Sequence, residues 1–195
     1  MNLKKMIYQP QQFNNLLGIS GFSDTLLKNH FTLYEGYVKN VNLLNDLIST
    51  SKPGTPEYSE IRRRFGWEWN GMRMHEIYFN NITKDYKELD IKSLLYNELV
   101  VSFCSYEKWL EDFKSVGLTR GIGWAVLVKD KITNTLMNIW VGEHDTGQLA
   151  DQEILLVMDV WEHSYMTDYG IKRVDYIEKF IQSINWVVVA GRYNK

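Results

Sequence analysis

The stretch LLVMDVWEHSY, Leu155–Tyr165, carries an aspartate and a histidine directly behind a run of apolar side chains. The run predicts a buried strand, and a buried carboxylate is costly unless it is paired or coordinated. Asp159 and His163 are four residues apart, a spacing that puts them on one face of either a strand or a helix. The stretch therefore predicts a buried polar site, with an ion pair between Asp159 and an arginine as the alternative.

The segments around this stretch predict a small sheet flanked by helices. Residues 123–130 and 136–144 have a period of two and are joined by the turn-rich KITNT, which indicates a β-hairpin. Residues 153–159 follow as a third strand. Residues 91–116 predict one or two shorter helices, and residues 173–193 return to helical spacing.

The first half of the chain predicts an antiparallel helical hairpin. Apolar residues recur at spacings of three and four after the N-cap residue Ser23, and again after Thr55 and Pro56. The short SKPGTP connection makes the two helices neighbours. The predicted fold class is therefore α+β, with residues 1–88 forming the helical hairpin and residues 89–195 forming an α/β domain.

Composition and charge exclude several classes of partner. The formal net charge of −2 provides no basic surface for nucleic acid or for an anionic membrane. The N-terminal residues lack the apolar core of a signal peptide and no run reaches membrane-spanning length, so we expect a cytoplasmic protein. The single cysteine, Cys104, lies in the apolar stretch ELVVSFCSY, which predicts a buried and inert thiol.

The chain has four histidines, which are His30, His75, His144 and His163. Pro53 lies in the connection between the two predicted helices. His30 lies 23 residues before Pro53 and His75 lies 22 residues after it, and each is on the apolar face of its helix. Their imidazoles should therefore meet inside the hairpin, about 34 Å from its turn at about 1.5 Å per residue. A lone histidine on such a stripe is more often a hydrogen-bonded core residue, but imidazoles together with Asp159 suit iron or manganese. The absence of cysteine ligands argues against structural zinc.

At these residues the sequence resembles the iron/manganese superoxide dismutases. The resemblance runs from about Gly21 to the C-terminus and is carried by DVWEHSY, NHFTLYEGYVKNVN, MHEIYF, GIGWAVLV and RVDYIEKFIQSINW. It implies a helical hairpin packed on an α/β domain with a three-stranded antiparallel sheet. It also implies one iron or manganese ion per subunit, superoxide as the substrate, and a homodimer or higher homo-oligomer. The family includes both metals, and we favour iron.

The resemblance implies the metal ligands, which would be His30, His75, Asp159 and His163, with water or hydroxide as a fifth ligand. Tyr37 would stand at the mouth of the site. In the family, a side chain from one of two sequence positions holds the bound solvent. Gly71 leaves one of these positions without a side chain, so His144 would take the role. Without the resemblance, His144 would be read as an exposed residue of a glycine-rich loop.

Further residues would surround these ligands. Three of them match aromatic positions around the metal site, although each could equally be a core aromatic: Tyr78, Trp124 and Trp161. Glu162 resembles a glutamate that reaches across a dimer interface to His163 of the partner subunit. Its alternative is a solvated surface charge.

Two departures from the family pattern lead to expectations of their own. Leu33 and Met166 stand where the family usually has a histidine and its tyrosine partner across the interface, which predicts an altered outer proton relay. His30 and Tyr37 are seven residues apart, one fewer than is usual in the family. Seven residues are close to two regular helical turns, so the first helix is predicted to contain no π-bulge.

The predicted function is dismutation of superoxide to dioxygen and hydrogen peroxide at a mononuclear iron or manganese centre. One alternative is a catalytically weak or inactive superoxide-dismutase-like protein that binds metal for a structural or storage role. Another is an iron oxygenase that uses two histidines and a carboxylate, against which the fourth ligand argues.

Overall fold

The computed structural model describes residues 7–194. After a short 3-10 turn at Asn14–Leu16, helices α1 (Asp24–Thr50) and α2 (Pro56–Asn80) pack along each other as the expected hairpin. Ser23 and Thr55 cap them, because each side-chain oxygen accepts a hydrogen bond from a backbone N–H of the first turn. The predicted helical hairpin is thus present.

Helix α1 is α-helical along its whole length, with no π-bulge between His30 and Tyr37. The prediction drawn from the seven-residue spacing is confirmed. Because both side chains leave the same side of the helix, both reach His75 on α2: the ring centroids of His30 and Tyr37 lie 5.0 Å and 5.1 Å from that of His75.

The second half builds a three-stranded antiparallel sheet between helices, so the α+β fold class is confirmed. The elements in chain order are α3 (Leu94–Phe103), α4 (Tyr106–Gly117), β1 (Gly123–Asp130), β2 (Leu136–Gly142), β3 (Gln152–Asp159), a 3-10 turn (Glu162–Ser164), α5 (Met166–Tyr169), α6 (Arg173–Ile181) and α7 (Trp186–Tyr193). The strand order is β2-β1-β3, and β1 in the middle is almost entirely buried. Within residues 7–194, none of the helices combines the length and the apolar character that a membrane-spanning segment needs.

Sheet register brings the site residues to one end of the sheet. Trp124 at the start of β1 pairs with Asp159 at the end of β3, and Gly123 pairs with Gly142 at the end of β2. The loop that carries His144 begins at Gly142. Helix α2 packs against β3, so this end of the sheet faces the helical hairpin.

The expected burial of Cys104 was wrong, because this residue is exposed. Cys104 directly follows α3 and has a φ of 69°, so it lies in the turn that ends the helix. Helix α3 buries only Leu95 and Leu99, and Val101 on its outer face is 75% exposed. The apolar sequence around the cysteine was therefore a poor guide to its burial.

Candidate metal centre

Four side chains from three separate parts of the chain converge between the hairpin and the sheet. One carboxylate oxygen, Oδ2 of Asp159, lies 3.2 Å from Nε2 of His30, 3.6 Å from Nε2 of His75 and 3.3 Å from Nε2 of His163. The four potential ligand atoms all lie within 4.8 Å of one another. His30, His75 and Asp159 are buried and His163 is partly exposed. These are the four residues that the resemblance implied as metal ligands.

The orientation of His75 fits a metal ion at this cluster. Its Nδ1–H donates to the backbone carbonyl of Gly71 at 2.6 Å, which leaves the lone pair of Nε2 facing the other three residues. Among the described residues this buried nitrogen has no hydrogen-bond partner. Burial also lowers the pKa of His30 and of His75, which favours the neutral imidazole that binds metals. The donor set suits divalent or trivalent iron or manganese.

The carboxylate of Asp159 is held in place by its surroundings. Its Oδ1 accepts the backbone N–H of Trp161 at 2.8 Å, and its backbone carbonyl accepts the hydroxyl groups of Tyr176 at 2.6 Å and Ser164 at 3.0 Å. Burial opposes ionisation, but the electrostatic and hydrogen-bonding contacts with His163 and His30 hold the pKa of this carboxyl well below its usual range. The cluster is therefore built around an anion.

His144 lies beside the cluster with a defined tautomer. The indole Nε1–H of Trp124 can only donate, and it donates to Nδ1 of His144 at 3.1 Å. Burial lowers the pKa of His144 to about 4, so the ring is neutral at pH 7 and carries its proton on Nε2. That nitrogen donates to the hydroxyl oxygen of Tyr37 at 2.8 Å, which leaves the Tyr37 hydroxyl free to donate its own hydrogen. Burial also raises the pKa of Tyr37, so the phenol stays protonated.

The aromatic residues expected around the ligands are close to them. The ring centroids of Tyr78 and His30 lie 5.2 Å apart, those of Trp124 and His75 lie 5.0 Å apart, and those of Trp161 and His163 lie 5.9 Å apart. Glu162 is exposed on this chain, next to the His163 side chain, which is 22% exposed. The catalytic roles of Tyr37 and His144 and the bridging role of Glu162 stay predictions.

Two residues at the site were not singled out from the sequence. The Tyr176 hydroxyl donates to the backbone carbonyl of Asp159, and its oxygen lies 3.3 Å from the hydroxyl oxygen of Tyr78. The sequence signal for Tyr176 was its place in the quoted segment RVDYIEKFIQSINW. Trp67 packs on His144 with a ring-centroid distance of 4.5 Å. Its signal was its position eight residues before His75 on the same helix, about two turns away.

Sequence comparisons identify the family to which this chain belongs. Residues 91–192 match the family described as iron/manganese superoxide dismutases, C-terminal domain. The chain belongs to the iron/manganese superoxide dismutase family. Its relatives in this family include proteins named for iron and proteins named for manganese. The relative from Cupriavidus metallidurans is named as an iron superoxide dismutase and is 31% identical over 181 residues, which cover 90% of each chain.

Other superoxide dismutases match over a similar length. A protein named as a manganese superoxide dismutase from Haloferax volcanii is 30% identical over 168 residues, which cover 85% of this chain and 83% of the relative. A protein named as an iron superoxide dismutase from Pyrobaculum aerophilum is 27% identical over 170 residues, which cover 85% of this chain and 81% of the relative. Relatives named for iron and for manganese therefore match almost equally well, and they do not distinguish the metal.

Proposed function

We propose that this chain dismutates superoxide, so that two superoxide anions and two protons become one dioxygen and one hydrogen peroxide. One iron or manganese ion per subunit would be bound by the side chains that converge on the Asp159 carboxylate: His30, His75, Asp159 and His163. The observation that carries the proposal is this convergence of three imidazole nitrogens on one carboxylate oxygen, at 3.2 to 3.6 Å, in a member of this family.

A bound ion would supply the one-electron redox chemistry that dismutation of superoxide needs. The chain itself contributes the charge balance. Three neutral imidazoles and one carboxylate offset only one positive charge of a divalent or trivalent ion, so the site keeps a net attraction for an anion. The hydrogen bond from Trp161 to Asp159 keeps the carboxylate oriented toward the histidines.

Tyr37 and His144 would deliver protons. Because His144 donates to the Tyr37 oxygen, the hydrogen of Tyr37 can point toward a reactant in the site. A surface cavity of about 240 Å³ reaches the Tyr37 side chain from solvent. It is lined by Leu33, Gly36, Tyr37, Asn40, Arg64, Trp67 and Glu68. Water in this cavity can replace the proton that Tyr37 gives up.

The proposal includes a homodimer or higher homo-oligomer, in which Glu162 meets His163 of the partner subunit, and a cytoplasmic location. The exposure of Glu162 beside the partly exposed His163 supports such a contact. Leu33 and Met166 would remain as departures from the family's usual relay. They bear on turnover at high superoxide concentration and not on metal binding.

The test is metal analysis of the purified protein together with its superoxide consumption. We expect about one iron or manganese per chain and superoxide consumption that depends on that metal. Matched preparations reconstituted with iron alone and with manganese alone decide which ion supports turnover. A full complement of metal without superoxide consumption would favour the inactive, metal-binding alternative. A protein that retains neither metal would exclude both functions.

A further inference from the structure

Trp67 is a residue of α2, and its side chain packs against the loop that carries His144. We infer that Trp67 is a positioning residue that fixes His144 relative to the candidate metal ligands, an inference that rests on the proposed function. The residue lies two turns before His75 on α2, so it connects the loop to the helix that supplies one of those ligands. The inference concerns the placement of His144 and assigns Trp67 no contact with a reactant.

The His144 ring is confined by indole rings as well as by its hydrogen bonds. The Trp161 ring stacks on it with a centroid distance of 4.8 Å and an interplanar angle of 23°, and the Trp67 ring meets it edge to face at 4.5 Å and 70°. Both ring nitrogens already have partners, in Trp124 and Tyr37. Movement of the ring would therefore disturb the hydrogen bond to Tyr37.

The indole nitrogen of Trp67 anchors the loop directly. Its Nε1–H donates to Oε2 of Glu143 at 2.9 Å, and Glu143 is the residue immediately before His144. Glu143 has a φ of 49°, in the left-handed region that a non-glycine residue adopts at some cost. Its backbone N–H is held by the carbonyl of Ile122 at 2.9 Å. The bond from Trp67 adds a second fixed point at this strained residue.

The Trp67 ring is also in contact with a charged side chain of its own helix. The Arg64 guanidinium lies over the indole ring, 3.8 Å from its centroid, which is a cation–π contact. Arg64 also donates from Nε and Nη2 to one oxygen of Glu68, at 2.8 and 2.6 Å. Glu68 is buried and accepts a further hydrogen bond from Asn40 on α1. The Trp67 indole therefore packs between the hydrogen-bonded side chains of Arg64 and Glu68 on one side and the loop that carries His144 on the other.

The test compares five full-length variants, which are four single substitutions and the double variant Trp67→Phe/Glu143→Ala. Trp67→Phe keeps an aromatic ring but removes the N–H, and Glu143→Ala removes the acceptor. Glu143→Gln keeps an acceptor oxygen and serves as the conservative rescue. Trp69→Phe is the matched control, because Trp69 is on the same helix but packs against Tyr8 and Phe65, away from His144.

For Trp67→Phe and Glu143→Ala we expect kcat for superoxide to fall by roughly three- to tenfold, since a small misplacement of a catalytic group is costly. KM and metal content should stay near wild type, because the cluster is untouched. The double variant should be no worse than either single variant, since both remove the same bond. Amide hydrogen exchange in residues 141–148 should accelerate in both, and Glu143→Gln and Trp69→Phe should resemble wild type.

Several results would overturn the inference. One is a Trp67→Phe protein with unchanged kcat, whether or not its melting temperature falls, because a merely structural role changes stability alone. Another is additive loss in the double variant. A wild-type protein that consumes no superoxide would instead refute the proposed function. The exchange measurement would still decide whether Trp67 tethers the loop, since it needs neither substrate nor metal.

Discussion

The ring of Tyr37 fills the space beside Gly71. A Cβ atom built on Gly71 would lie 2.6 Å from Cδ1 and Cε1 of Tyr37, closer than side chains tolerate. Because α1 is regular from His30 to Tyr37, the tyrosine ring lies against α2 at this height. A solvent-holding side chain therefore cannot arise from position 71 without moving Tyr37, while His144 already contacts the Tyr37 hydroxyl.

Gly71→Ala is expected to displace the Tyr37 ring and to weaken its hydrogen bond with His144. Overpacking of this kind costs about 1–3 kcal/mol in the free energy of unfolding. Metal content should persist while superoxide consumption falls. The matched control is Gly66→Ala on the same helix, where a Cβ meets no atom within 4 Å. This control should stabilise the protein by about 0.5–1 kcal/mol. Unchanged activity in Gly71→Ala would contradict the prediction.

Asp159→Ala and His163→Ala should each lose metal, because every proposed ligand would have to be present to complete the set. Elemental analysis of the purified proteins measures the stoichiometry. Cys104→Ser is the control and should keep its metal, since the thiol is exposed and outside the cluster. A metal-replete His163→Ala protein of normal activity would remove this histidine from the ligand assignment.

His144→Ala should retain metal but shift its reduction potential and lower kcat. The substitution leaves Trp124 Nε1 without its acceptor and Tyr37 without its donor. His144→Gln is the informative companion, because an amide can both accept and donate and should restore part of the activity. A redox titration together with kinetics checks both variants. If neither the potential nor kcat changes in His144→Ala, the residue is only a loop histidine.

Stability of the metal-stripped protein should fall as the pH drops below about 6.5. Burial lowers the pKa of His30, His75 and His144 in the folded state, so the unfolded chain binds more protons below its own histidine pKa. Each histidine can remove at most about 1.4 kcal/mol per pH unit. For His144 the window extends from 6.5 down to about 4. Urea unfolding at pH 7 and pH 5 should show a smaller loss in His144→Gln than in wild type. Equal losses of stability in the two proteins would contradict the lowered pKa of His144 in the folded state.

Glu162→Ala should weaken self-association if this glutamate bonds to His163 of the partner subunit. The loss would leave a group at the interface without its partner. Sedimentation velocity over a concentration series measures the change. The control is Glu111→Ala, which removes a different exposed glutamate, on α4. This variant should associate as wild type does. A wild-type protein that is monomeric at micromolar concentration would refute the proposed interface.

The elements and the candidate ligands could be predicted from the sequence, because both depend on local regularities. Periodicities of 3.6 and two residues indicate helices and strands directly. Equal distances from the connection put His30 and His75 at one height in the hairpin, and a spacing of four put Asp159 and His163 on one face. The regular first helix also followed from counting residues between His30 and Tyr37.

Other features depended on contacts between segments far apart in the chain, and only the tertiary structure decided them. Cys104 is exposed because of where α3 ends and which face it buries, which its apolar neighbours do not reveal. The filling of the Gly71 site by Tyr37 and the bond from Trp67 to Glu143 join residues that are 34 and 76 positions apart. Local spacing fixes which way a side chain leaves its own helix or strand. The packing of separate elements decides what that side chain meets.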